Sequence, residues 1–268
     1  MRSVLLVSFL LGAALPAQDP DFGEPIATTL TQVRAEPEAF KNVKVTFPIQ
    51  FASLGRISNP FFTKFTPTYF ANFYAWADDQ PIWQQAEYQD VFGMLFLSKT
   101  NPQLDQLYKL GLFERVQVTG VIRNTFQNTP WIEVLEFAPI TGKLDTAVLT
   151  HLYRGEKLMS QRLWQRAVTE LSHVPGSNVP APALVVAYRN LGTCMLRMGD
   201  PNQAIPYLQS ASSLSGGNDA ETQQLLAMAQ TSPEAAIDRA VDVKSLKDHE
   251  RPMWEAFEVG SAASAPAR

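Results

Sequence analysis

Three histidines, one cysteine and two sets of neighbouring carboxylates are the residues of this chain whose types suit catalysis or metal binding. His151, His173 and His249 offer imidazole for metal ligation or proton transfer. None stands in an HExxH pair, and none has a carboxylate at ligand spacing, so surface or interhelix packing is their expected place. Cys194 stands alone, which excludes an intrachain disulfide, a four-thiolate metal site and a CxxC redox pair. It falls inside an apolar helical pattern and is expected to be buried. Asp78-Asp79 and Glu133/Glu136 have the types of a general acid and base. Adjacent residues on a strand point apart, however, and residues three apart lie on opposite faces. No GxSxG elbow, GxxxxGK[ST] phosphate loop or GxGxxG turn occurs. The expectation is a protein that is not an enzyme, with no catalytic residue, no cofactor and no metal.

The elements that would hold any site follow from the rest of the chain. Of 268 residues 46% are hydrophobic, which supplies packed cores and excludes disorder of the whole chain. The net charge of −4 lacks the basic footprint of a nucleic-acid binder. Residues 1–17 read as a signal peptide: Arg2 precedes the uncharged run Val4 to Leu15, too short to span a bilayer, and Ala13, Ala14 and Ala17 mark a cleavage site. Cleavage is expected after Ala17, which places the mature chain outside the cytoplasm, periplasmic or secreted, without an integral membrane segment. Residues 18–25 read as a linker. A boundary falls near Thr141-Gly142, and residues 248–268 form a C-terminal segment with Trp254 and Phe257, ending in a disordered SAASAPAR tail.

Between 26 and 141 the periodicity is that of strands. Val43 to Phe51 alternates with period two, with Pro48 off the core register as at an edge or bulge. Tyr69 to Trp76, Val91 to Leu97, Val116 to Ile122 and Trp131 to Phe137 are further strand patterns. A short helix is expected over Asn101 to Gly111, with an Asn cap, Pro at its first position and Gly as its stop. Three strands, a helix and two strands resemble the OB-fold, a five-stranded all-β barrel. Another small barrel with one helix would show the same pattern.

The segment 144–247 is helical and expected to form two or three units, about 148–182, 185–216 and 217–246. Tyr188, Leu191, Gly192 and Met195, then Gly199-Asp200-Pro201, then Ala204, Leu208 and Ala211 resemble the tetratricopeptide repeat in type and spacing. Gly192 and Ala204 let two helices approach, the larger residues fill their seam, and Asp200 caps the second helix. Gly155, Ala167 and Leu171 repeat the spacing of Gly192, Ala204 and Leu208. Ser232-Pro233 suggests the same cap in a third unit.

The resemblance implies an all-α repeat stack whose first helices line a groove for a peptide or protein partner. Arg189, Thr193 and Arg197, with Leu152, Glu156 and Met159 in the preceding unit, are the expected groove residues; the family's carboxylate clamp is not matched. The sequence therefore reads as an exported scaffold protein made for protein–protein interaction. The alternative is an envelope glycan- or ligand-binding barrel braced by the repeats, suggested by the aromatic run Phe61, Phe62, Phe65, Tyr69, Phe70, Phe73, Tyr74, Trp76 and Trp83. Nucleic acid is not the expected ligand, because Lys41 to Ile140 carries eight basic and eight acidic residues.

Overall fold

A computed structural model of the chain describes residues 22–56, 64–176 and 178–238. The expected leader, the start of the linker, Phe61, Phe62, the end of the third helical unit and the C-terminal segment lie outside the described residues. The first half runs β1 (Ile26–Ala27), α1 (Leu30–Ala35), β2 (Lys44–Leu54), β3 (Phe70–Ala77), α2 (Gln85–Gln89), β4 (Phe92–Ser98), α3 (Leu104–Leu107), β5 (Arg115–Phe126) and β6 (Thr129–Pro139). The second runs α4 (Thr146–Ser160), α5 (Trp164–Leu171), α6 (Ala181–Met198), α7 (Pro201–Leu214), α8 (Ala220–Thr231) and a 3-10 turn, Pro233–Ala236.

The strands form a sheet in the order β2-β3-β4-β6-β5, and β5 pairs back onto β2, so five strands close a barrel. All barrel pairings are antiparallel except β4 with β6, while β1 runs parallel along β2. Inward-facing Phe47, Ile49, Phe73, Leu95, Leu97, Val118 and Ile132 make the interior, where each large side chain contributes about 1.5–3 kcal/mol by leaving water.

Pro48 has its partner, Gln117, on β5 only. On its other side the pairing with β1 ends at Thr46 and that with β3 starts at Ile49, so the missing N–H falls in a gap between neighbours.

The expected helix over Asn101 to Gly111 is only four residues long as α3, because its flanks are used differently. Asn101 Oδ1 accepts from the Gln103 N–H, while Asn101 Nδ2 and Gln103 Nε2 donate to the Leu135 and Phe137 carbonyls of β6, both at 2.7 Å. These bonds tie the segment to the barrel rather than extending a helix. The sequence pattern missed α1, whose Thr29 and Gln32 form a capping box and whose Leu30 and Val33 join the barrel core.

Successive helices of the second half pack on one another, α4 on α5 through to α7 on α8. Asp200 caps α7 by accepting from the Gln203 N–H, with Pro201 in the first turn. The unit expected to start at 185 begins four residues earlier, at Ala181, behind Pro180. The third unit departs further: Ser232 makes no side-chain cap, and among the described residues α8 is succeeded by a single 3-10 turn in place of a second helix.

Barrel and helices share a second core. Trp76, Ile82, Trp83, Tyr88 and Phe113 from the barrel side pack with Leu144, Leu149, Leu152, Leu171, Leu191 and Cys194. Among the described residues, no helix is long and apolar enough to cross a membrane.

Candidate functional site

The outer wall of the barrel carries a groove of about 510 Å³, lined by Ala52, Ser53, Tyr74, Trp76, Tyr88, Gln89, Val91 and Leu112. Its floor comes from β2 and β3, whose register shifts between Phe51 and Ser53. Its far wall is α2 and the residues after it. A Cβ on Gly93 would stand 2.2 Å from the Tyr74 ring, so glycine is what lets Tyr74 lie across β4.

The α2 segment is pinned. Gln80 accepts from the Ala77 N–H and donates to the Glu87 and Asp90 carbonyls at 2.8 and 3.1 Å. Trp76 Nε1 donates to the Tyr88 carbonyl at 3.0 Å, and the Trp76 ring lies 5.1 Å from Tyr88 and 5.6 Å from Phe113. Trp76 and Tyr88 are only 3% exposed, so they form the base of the groove rather than an open stacking platform. The lining carries no ionisable group apart from two tyrosine hydroxyls.

Among the described residues, the remaining aromatics of the 61–83 run are mostly structural. Phe65, Phe73 and Trp83 are buried, and Phe65 stacks on Phe96 at 4.2 Å. Among the described residues of the run, Tyr69 is the exposed aromatic, at 66%.

Three of the four candidate carboxylates are committed elsewhere. Asp78 receives both Nε and Nη2 of Arg115 at 2.6 and 2.7 Å, and Asp79 accepts from the Thr31 hydroxyl. Glu133 lies between Arg123 and Lys64 at 2.6 and 2.5 Å. Burial pushes the Cys194 thiol up to about 12, which leaves it protonated and unreactive at neutral pH. His151 Nδ1 is 2.9 Å from Glu170 Oε2, and its ring is 4.9 Å from that of His173. Among the described residues, no group of three or more His, Cys, Asp or Glu converges as a metal site.

The structure separates the six residues expected to line a groove of the helical half. Leu152 is wholly buried in the shared core and presents no surface. Glu156 turns to the barrel, where its two oxygens accept from Trp83 Nε1 and Gln84 Nε2, each at 2.9 Å. Arg189 holds Asp219 at 2.8 Å and Glu221 at 3.3 Å, so α8 covers it, and Thr193 donates back to the Arg189 carbonyl.

Met159 and Arg197 do come together, at a small pocket beside the α4–α5 turn. Of the repeat-spacing residues, Tyr188 stacks on Tyr207 at 6.3 Å, and Leu191, Met195, Ala204, Leu208, Ala167 and Leu171 are buried. Cβ atoms on Gly155 and Gly192 would come within 2.5 Å of Leu171 and 2.6 Å of Leu208.

Ala52, Tyr88, Val91 and Leu112 carry no pattern in the sequence that marks them as site residues. The dense aromatics of β3 were the one signal near them. Comparison with protein-family models, with curated proteins and with solved structures gives no match.

Proposed function

We propose that this chain is a non-enzymatic binding protein that captures a protein or peptide segment by an apolar side chain seated in the barrel-wall groove. The observation that carries this reading is the groove itself: apolar, aromatic-based, and braced by the Gln80 and Trp76 hydrogen bonds. Pockets of this kind, with few polar groups, bind by apolar burial. The sealed faces of Trp76 and Tyr88 favour an inserted side chain over a stacked sugar ring.

In this reading the barrel is OB-like, supported by its strand order and by the helix between its third and fourth strands. The helical half is a tetratricopeptide-like brace, supported by the matching approaches of Gly155 to Leu171 and Gly192 to Leu208. The leader-like pattern of residues 1–17 supports an extracytoplasmic scaffold role. Partner binding on a helical groove is the weaker form of the proposal, because Arg189 and Glu156 are already engaged within the chain.

The test is selection of a random displayed-peptide library on the immobilised chain. Enriched peptides carrying a large apolar residue are expected, with affinity falling at least tenfold in Val91→Arg while the melting temperature is kept. Selection of peptides that Val91→Arg binds equally well overturns the groove as the working surface.

A further inference from the structure

We propose that the pocket beside the α4–α5 turn is a carboxylate-binding subsite, at present filled by the chain's own Asp238. The pocket, about 350 Å³, is lined by Ser160, Arg162, Trp164 and Arg197, with Met159 and Ile237 as its apolar part. It lies in the helical half, away from the barrel groove, and does not depend on the reading given for that groove.

Three observations point to a carboxylate. Two guanidinium groups face one small cavity. The indole N–H of Trp164 is shielded from solvent and has no acceptor, which is costly for a donor unless a ligand oxygen meets it. The chain itself supplies the third: Asp238 Oδ2 lies 3.5 Å from Arg162 Nε.

The Ile237-Asp238 segment lies as a bound peptide would. Ile237 is extended, its side chain is near Gly199, the Asp238 N–H donates to the Arg197 carbonyl at 2.9 Å, and Arg197 Nη1 donates to the Ala236 carbonyl at 3.1 Å. The contact with Arg162 is the replaceable part of this arrangement. Arg162 is 56% exposed and its ion pair is long, so water and salt screen it and a competing carboxylate can take its place. Arg162 also sits at a φ of 59°, a backbone conformation uncommon for an arginine. The ligand class is an acidic peptide with an apolar residue before its carboxylate. The carboxylate belongs to a side chain or to a chain terminus.

The experiment uses the whole chain and two fluorescein-labelled probe peptides. One has an Ile-Glu pair and an amidated C-terminus; the other has Ile-Gln and a free terminus. Asp238→Asn, which removes the carboxylate charge that pairs with Arg162, should bind one of them at least tenfold more tightly than the unsubstituted chain. Gain with the amidated Ile-Glu peptide assigns a side-chain carboxylate, and gain with the other assigns a terminal one. Arg162→Gln added to Asp238→Asn should abolish the gain, and Trp164→Phe, which removes the N–H donor together with part of the aromatic surface, should weaken binding several-fold. Melting curves confirm that the variants fold. No gain in Asp238→Asn with either peptide, or a gain that survives Arg162→Gln, overturns the proposal. The barrel groove is read separately, since Val91→Arg should leave this binding unchanged.

Discussion

At the scale of single residues, the helical half places a tight requirement on Gly155 and Gly192. An added methyl on Gly192 meets Leu208 Cγ at 2.6 Å, and one on Gly155 meets Leu171 Cγ at 2.5 Å. Alanine is the better helix former by up to about 1 kcal/mol, but overpacking a filled seam costs about 1–3 kcal/mol. Packing wins because Leu171 and Leu208 are completely buried and have nowhere to move. Gly192→Ala should therefore lower stability by about 1–2 kcal/mol in denaturant unfolding, and Leu208→Ala in the same chain should cost less than in the parent. An unchanged or raised midpoint for Gly192→Ala would show that the seam has slack. These two glycines were legible in the sequence because a 37-residue offset pairs each with the same companions. The groove residues Ala52 and Leu112 were not, since nothing about an alanine or a leucine says which wall it stands on.

Among the elements, α8 is docked by electrostatics. Its first turn is held to α6 through Arg189, which reaches Asp219 and Glu221, and Thr222 is buried beneath. Desolvation alone pushes the Asp219 carboxyl up, but the Thr222 hydroxyl and the Arg189 charge outweigh it and hold the group below its ordinary 3.8. A depressed carboxylate contributes its stability above the unfolded value and loses it as pH falls through the lower folded value. The docking of α8 should thus be intact at neutral pH and weaken below about pH 4. Hydrogen exchange of α8 amides, corrected for intrinsic rates, should show that loss on acidification, and Asp219→Asn should show the same loosening at neutral pH. Equal protection in Asp219→Asn would remove the carboxylate from the account. Element existence followed from period and cap chemistry, as Asp200-Pro201 and the five strand runs illustrate. The short α1 and α2 were missed because a turn or two carries too few apolar repeats to reveal a period.

For the whole molecule, the shared core makes barrel and helices interdependent. Trp76 and Phe113 on the barrel wall pack into the same cluster as Leu149 and Leu191, and Glu156 accepts from Trp83 across the junction. A barrel cut from the chain at Thr141 would expose that wall. The intact protein should unfold in one transition, with far-ultraviolet dichroism and tryptophan fluorescence coinciding. Glu156→Ala leaves the Trp83 N–H without its acceptor, at a cost of about 1–3 kcal/mol, and should shift both signals together. Separate transitions for strand and helix signals would show two independent units instead.

From the sequence alone came the strand half and the helical half, the Asp200 cap, the burial of Cys194 and the glycine pairs. All of these are written in local period, turn chemistry and residue size, which act over a few neighbours along the chain. Tertiary structure decided which surfaces stay open. Arg189 and Glu156 sit where an exposed face was expected, yet Asp219 and Trp83, distant in sequence, close over them. Ala52, Tyr74, Tyr88 and Leu112 become one groove only because barrel closure and the bonds of Gln80 bring four separate segments together. Exposure is a property of long-range packing, and periodicity along the chain does not encode it.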